Sequence, residues 1–197
     1  MQPTESAVEL PTDHRRRLLD GLAASIREKG LAATQVTDIV RHARASRRTF
    51  YNAFPDKEAC FLALAEELSD ETFATIARTV DEALTWEQQV DRAIDTYLAI
   101  LASDRALTIT FTVELATLGI AGQELRRRGV QRYAEFVMAL TRSPAMRQAG
   151  VAELSRHTAI MLVGGIQELV NQAVANGEPL EGLAPSIKST LKAVLAP

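Results

Sequence analysis

Residues 46–59 read SRRTFYNAFPDKEA. Ser46 suits a helix N-cap, because its hydroxyl oxygen can accept a backbone N–H that the first helical turn leaves orphaned. Arg47 and Arg48 then fall in that first turn, where the helix dipole already concentrates partial positive charge. Helix stability explains two arginines there poorly; an anionic partner explains them well. Phe50 and Phe54 lie four apart and predict an inward-facing anchor, and Pro55 stops the helix.

Outward from this stretch the chain keeps a helical period almost throughout, without strand-like alternation. Thr12 can cap a first helix whose apolar line is Leu18, Leu22 and Ile26, and Gly30 suits its left-handed end. A short helix over about 36–43 turns Val36, Ile39, Val40 and Ala43 inward, and a tight ARAS turn leads to the helix from Ser46. Asp56 caps a longer helix beginning KEACFLALAEEL, and longer helical segments follow to the end. The run TITFTV at 108–113 reads alone as a strand, but its flanks are helical. The expectation is an all-α chain of about nine helices, divided into a tail over 1–12, a small domain over 13–57 and a larger one over 58–197.

The chain has 197 residues, 47% of them hydrophobic, enough for one or two packed cores. No apolar run approaches the ~20 residues of a bilayer span. Residues 1–12 are polar with two prolines and read as a disordered tail, not a secretion signal, so a cytoplasmic location is expected. The single cysteine, Cys60, excludes an intrachain disulfide and suits a reducing compartment. Within CFLALA it reads as a buried, inert thiol in preference to a reactive one. The net charge of −3 conceals an asymmetry: residues 1–57 hold ten Lys/Arg against seven Asp/Glu, and the remainder twelve against eighteen. A basic head on an acidic body fits a local electrostatic footprint.

Two short helices joined by a tight turn behind a first helix make a helix-turn-helix pattern, whose last helix enters a DNA groove. Arginine can read guanine O6 and N7 with two hydrogen bonds, each good pair adding roughly 1–3 kcal/mol of discrimination. Thr49 and Tyr51 offer hydroxyls to phosphate oxygens, and Asn52 can pair with an adenine edge or a phosphate. Lys57 opens the next helix, where ammonium and free N–H groups can hold a phosphate together. A merely solvated helix face is the competing reading of a lone arginine pair. The cap, turn, hydroxyls and charge asymmetry together favour double-stranded DNA.

The run GLAATQVTDIVRHARASRRTFYNAFPDKEACFLAL, residues 30–64, resembles the amino-terminal domain of the tetracycline-repressor (TetR) family of bacterial transcription regulators. Gly30, Thr34, Asp38-Ile39-Val40, Ser46, Thr49-Phe50-Tyr51, Phe54 and Lys57-Glu58 carry the likeness. Three positions depart from the family pattern. Arg44 replaces a turn glycine at a cost near ~1 kcal/mol, Gln35 replaces a small hydroxyl residue, and Ala53 a histidine. Thr34 or Thr37 can cap the second helix instead. The resemblance implies that Arg47, Arg48 and Asn52 face bases or nearby phosphates, while Thr37, Thr49, Tyr51 and Lys57 hold the backbone. Arg15 to Arg17 either touch flanking phosphates or form a solvated basic end.

The resemblance also implies a homodimer through the last two helices. Val163, Ile166, Val170 and Val174 on one, with Ile187 and Leu191 on the other, are the interface candidates. These faces pair two subunits or pack within one. Gly164-Gly165 in mid-helix costs roughly 1 kcal/mol per residue against alanine, for which close approach of another helix would compensate. Two-fold symmetry would predict a palindromic operator.

A ligand cavity is implied in the middle helices. Trp86, Tyr97, Phe111, Met138 and Met161 are candidate lining groups, although such residues at helical spacing more often form plain core. Gln167, Glu114 and His157 are candidate polar anchors. Glu114, if buried, needs a partner or a raised pKa, from a cationic ligand or an internal arginine; His157 reads as surface or hydrogen-bonded.

The function expected is a DNA-binding transcriptional regulator, a homodimeric repressor released by a small apolar or amphipathic effector. The three histidines lack metal-ligand spacing, and neither a Gly-rich phosphate loop nor a nucleophile elbow occurs, so neither an enzyme nor a cofactor is expected. The alternative is an all-helical interaction module without DNA binding.

Overall fold

The structure, a computed structural model, describes residues 11–81 and 83–196, with the side chains of Pro11, Thr12 and Asp13 outside that description. The cap expected from Thr12 and residues 1–10 of the expected tail therefore lie outside the described residues, while Pro11 and Thr12 themselves belong to the first helix. The described chain is all-α. Its helices are α1 (Pro11–Ala33), α2 (Val36–His42), α3 (Arg47–Ala53), α4 (Lys57–Ala77), α5 (Trp86–Ser103), α6 (Arg105–Thr117), α7 (Gly119–Thr141), α8 (Pro144–Gln148), α9 (Arg156–Asn176) and α10 (Ala184–Leu195). A 3-10 turn, Leu180–Leu183, precedes α10. The extra helix over the expected nine is α8, where Ser143 caps and Pro144 opens a single turn that the sequence reads as a break.

The chain divides into two compact units, the first ending at Glu66 and the second beginning at Glu67. The boundary falls later than residue 57 because the first turns of α4, with buried Cys60, Phe61 and Leu64, belong to the first unit. In that unit Leu18, Leu22 and Ile26 of α1 are buried, with Ile39 of α2 and Phe50 of α3. Gly21 lets α1 and α2 close up: a Cβ there would stand 2.6 Å from the Ile39 carbonyl oxygen. Burial pushes the Cys60 thiol up to about 12, as an inert core cysteine requires.

The second unit packs α5 against α9, α10 and the 3-10 turn. Ile94 and Leu98 meet Val170, Ala173, Leu180 and Ile187. A second cluster joins Met146, Val151 and Leu154 to Leu162 and Leu195. Lys188–Asp95 at 2.6 Å and Lys192–Asp91 at 2.7 Å tie α10 to α5. The strand-like TITFTV run is inside α6; Thr108 donates to the Leu101 carbonyl and Thr110 to the Ala106 carbonyl, so these hydroxyls are absorbed by helix ends and turns. Gly177, at φ 72, closes α9 in the left-handed conformation.

Candidate nucleic-acid interface and ligand cavity

The turn between α2 and α3 is built from backbone bonds. Ala45 N–H donates to the Val40 carbonyl at 2.9 Å and Arg44 N–H to the Arg41 carbonyl at 3.3 Å. This six-to-one closure needs a left-handed residue, and Arg44 supplies it at φ 50, where glycine would be unstrained. Ser46 then caps α3: its Oγ accepts from Thr49 N–H at 3.0 Å and pairs with Thr49 Oγ1 at 2.8 Å. Phe50 is fully buried against Phe54, with ring centroids 5.9 Å apart. With that face fixed inward, Arg47, Arg48, Tyr51 and Asn52 are exposed together, as i, i+1, i+4 and i+5 spacing dictates.

Other basic groups of the first unit are used internally. Arg41 and His42 both meet Glu28, at 3.2 and 2.9 Å, and Lys29 meets Asp38 at 2.7 Å. The His42 hydrogen bond, then the Arg41 one, holds the Glu28 carboxyl below its usual range; Lys29 and then the Gln35 N–H do the same for Asp38. Arg15 lies over the Phe54 ring at 5.1 Å, and Arg16 meets Asp20 at 3.6 Å. By contrast Arg44, Arg47 and Arg48 are exposed and have no ion-pair partner among the described residues.

Three of the expected residues, Lys57, Thr34 and Thr49, are engaged within the unit. Lys57 Nζ donates to the Leu31 and Thr34 carbonyls, both at 2.8 Å, and so closes the end of α1. Two of its three N–H groups are thereby directed inward. Thr34 does not cap α2; its buried hydroxyl donates to the Gly30 carbonyl and meets Ser25 Oγ. Nor does the exposed Thr37 cap it, because Gln35 is the N-cap and Asp38 accepts from the Gln35 N–H at 2.9 Å. The Thr49 hydroxyl is engaged in the α3 cap.

The second unit holds a cavity of about 160 Å³. Trp86, Tyr97 and Gln167 line it, as do Val163, Ile166 and Leu191, which the sequence assigned to a dimer face. Val170 and Ile187 are each 2% exposed within one chain, and Val174 packs beside them. The outward side of α9 is carried by Met161, 65% exposed, with Gly165 and Leu169. Val163, Ile166, Val170 and Leu191 thus face the interior of their own chain. Phe111, Glu114, Met138, His157 and Met161 do not line the cavity. Phe111 and Glu114 are half-exposed on α6, and Met138 packs on the α8–α9 cluster. His157 is exposed in the first turn of α9. Tyr133 and Phe136 do line it; their i, i+3 spacing on α7 was the available signal.

Residues 18–64 match the sequence profile described as Bacterial regulatory proteins, tetR family. Over these residues the chain matches that family's amino-terminal helix-turn-helix domain, and an all-helical body follows it. Its fold is shared with solved regulators. The transcriptional regulator FadR from Bacillus subtilis, solved in complex with stearoyl-CoA, is 21% identical, with a TM-score of 0.72 over 91% of this chain and 98% of that one. The fatty acid degradation regulator FadR from Bacillus halodurans is 23% identical, with a TM-score of 0.70 over 90% and 93%. Salmonella enterica GusR is 17% identical, with a TM-score of 0.72 over 95% and 98%. No curated protein matches the sequence significantly. Among the described residues no helix is long and apolar enough to cross a membrane.

Proposed function

We propose that the chain is a homodimeric repressor that reads a palindromic operator with α3 and leaves it when a small apolar or amphipathic effector enters the cavity. The observation that carries this reading is the exposed set Arg47, Arg48, Tyr51 and Asn52 on a helix locked by buried Phe50 and Phe54. The two arginines are without ion-pair partners among the described residues, while Arg41 and Lys29 nearby are spent on carboxylates. Cations left free on one face of a helix-turn-helix suit guanine edges and phosphates. Thr37 and Tyr51 flank them as backbone contacts, and Lys57 retains one N–H for a phosphate while it closes α1.

Exposed Met161 and Leu169 and the open Cβ positions of Gly164 and Gly165 support pairing of α9 with a second copy. An effector that binds one dimer spacing better than another shifts the equilibrium only by that difference, and DNA must weaken the effector equally. Stearoyl-CoA, bound by the Bacillus subtilis relative, shares an apolar body with the ligand expected here, but its phosphates would meet no cation among the described cavity residues. Residues 11–66 are the DNA-binding part in this reading and the second unit is the regulatory and cytoplasmic sensor part.

Selection from random duplexes with the wild type and an Arg47→Ala, Arg48→Ala double variant tests the proposal. The wild type should enrich a palindrome, and the variant should bind it at least ~100-fold more weakly, since two bidentate contacts are removed. Its melting temperature should be unchanged. Failure of the wild type to enrich any sequence at low and moderate salt would overturn the reading.

A further inference from the structure

The cavity lining is selective in a way that names its ligand. Among the described residues it contains no Asp, Glu, Lys, Arg or His. Neither an anionic nor a cationic group would find a counter-charge inside, and moving an unpaired charge from water into such a site is heavily unfavourable. Four of the ten aromatic residues of the chain, Trp86, Tyr97, Tyr133 and Phe136, stand on this one wall. Tyr97 and Tyr133 sit edge to face with centroids 6.5 Å apart.

Four polar groups on the wall are unclaimed, one of them the Trp86 indole N–H. The hydroxyls of Tyr97 and Tyr133 and the amide of Gln167 make no hydrogen bond to any described residue. The neighbouring polar groups are taken: Thr79 donates to the Ile76 carbonyl, Thr141 bridges Met138 and Leu154, and Gln89 donates to the Leu84 carbonyl. Neither phenol is among the sealed, unpartnered atoms of the structure, so each is reachable although burial raises both above the ordinary tyrosine value, Tyr133 to about 12. A phenol that keeps its proton is a donor, and its natural complement is an uncharged oxygen acceptor. An apolar cavity of about 150 Å³ accepts benzene, and this one is of that scale at about 160 Å³.

We propose that the cavity selects a compact, uncharged aromatic or alicyclic molecule carrying a carbonyl oxygen, such as an ester, lactone or ketone. The carbonyl accepts from the Tyr97 and Tyr133 hydroxyls, Gln167 addresses a second polar atom where one is present, and the ring stacks among Trp86, Tyr133 and Phe136. The assignment rests on the effector reading above only for its biological meaning; the binding chemistry stands on the cavity itself.

Trp86 is the sole tryptophan and lies on the wall, so its fluorescence reports occupancy without DNA. The full-length protein would be titrated with methyl benzoate, methyl 1-naphthoate, ethylbenzene, benzoate and phenyltrimethylammonium, with a melting-temperature shift as the second readout. Either ester should bind about tenfold tighter than ethylbenzene and at least ~100-fold tighter than both ions. The Tyr97→Phe, Tyr133→Phe double variant should keep ethylbenzene binding, which verifies its fold, and lose the preference for esters. Equal binding of either ion, an ester preference that survives in the double variant, or no binding of any neutral probe at its solubility limit would each overturn the assignment. An ester that binds with this signature yet leaves the selected operator complex intact would instead sink the repressor-release reading while the ligand class stands.

Discussion

The two units use polar groups in opposite ways. In the first, almost every polar side chain near the core has a fixed internal partner: Thr34 on Gly30 and Ser25, Lys57 on two carbonyls, Glu28 between Arg41 and His42. The cations left without an ion-pair partner among the described residues of this unit include Arg44 and, on the outward face of α3, Arg47 and Arg48. In the second unit the leftovers lie the other way, as two phenols, an amide and an indole N–H around a cavity. Under the proposed function the contrast has a reason: a DNA-reading helix must be held to within a fraction of an ångström to place bidentate side chains, whereas a sensor must keep unsatisfied groups and free volume inside at the expense of packing.

The sharpest way to break this contrast is at Gly21. A Cβ there meets the Ile39 carbonyl oxygen at 2.6 Å and Ala43 at about 3 Å, both on the backbone, so α1 and α2 must part. Gly21→Ala should cost about 3 kcal/mol, the upper end of overpacking penalties. Buried Cys60 reports it: its labelling by a thiol reagent should accelerate, while the Trp86 signal of the second unit is unchanged. Labelling at the wild-type rate would mean that the first unit is as tolerant as the second.

Lys57→Met comes next. It removes two charge-assisted bonds and leaves the Leu31 and Thr34 carbonyls without their donor. The expected loss is about 2 kcal/mol of stability, measured by chemical denaturation and followed at Cys60. If stability were unchanged and only operator affinity fell, Lys57 would be a phosphate ligand alone, as its place at the start of α4 first suggests.

The legibility of these residues followed how local their cause is. The Ser46 cap, the Phe50–Phe54 anchor, the Gly177 stop and the helical nature of TITFTV are set within one or two turns, and each is visible as a residue type at a fixed spacing. The bonds of Lys57 to the Leu31 and Thr34 carbonyls were not legible because those partners lie 26 and 23 residues away. The apolar face of α9 was visible, but periodicity does not say whether a face meets its own chain or another, so Val170 was assigned to a surface that Met161 and Leu169 occupy. Trp86, Tyr97 and Gln167 line the cavity, whereas Phe111 and Glu114, in a long apolar run, do not. The i, i+3 spacing of Tyr133 and Phe136 marks one face of α7, but that this face meets Tyr97 depends on helix packing.

The smallest effect lies at the turn, where the contrast between the units is finest. Arg44 holds φ 50, a conformation that glycine adopts without steric cost and arginine does not. Arg44→Gly removes that strain but frees the unfolded chain, so the two effects oppose each other, and the net gain in stability should be no more than about 1 kcal/mol. Its guanidinium has no ion-pair partner among the described residues and stands at the entry to α3, three residues before Arg47. If the strain is retained for a phosphate contact, the variant should bind every duplex more weakly by a similar factor, leave the selected sequence unchanged, and lower the slope of log affinity against log salt by about one. A more stable protein with an undiminished salt slope would make Arg44 a tolerated turn residue and return the electrostatic footprint to Arg47 and Arg48 alone.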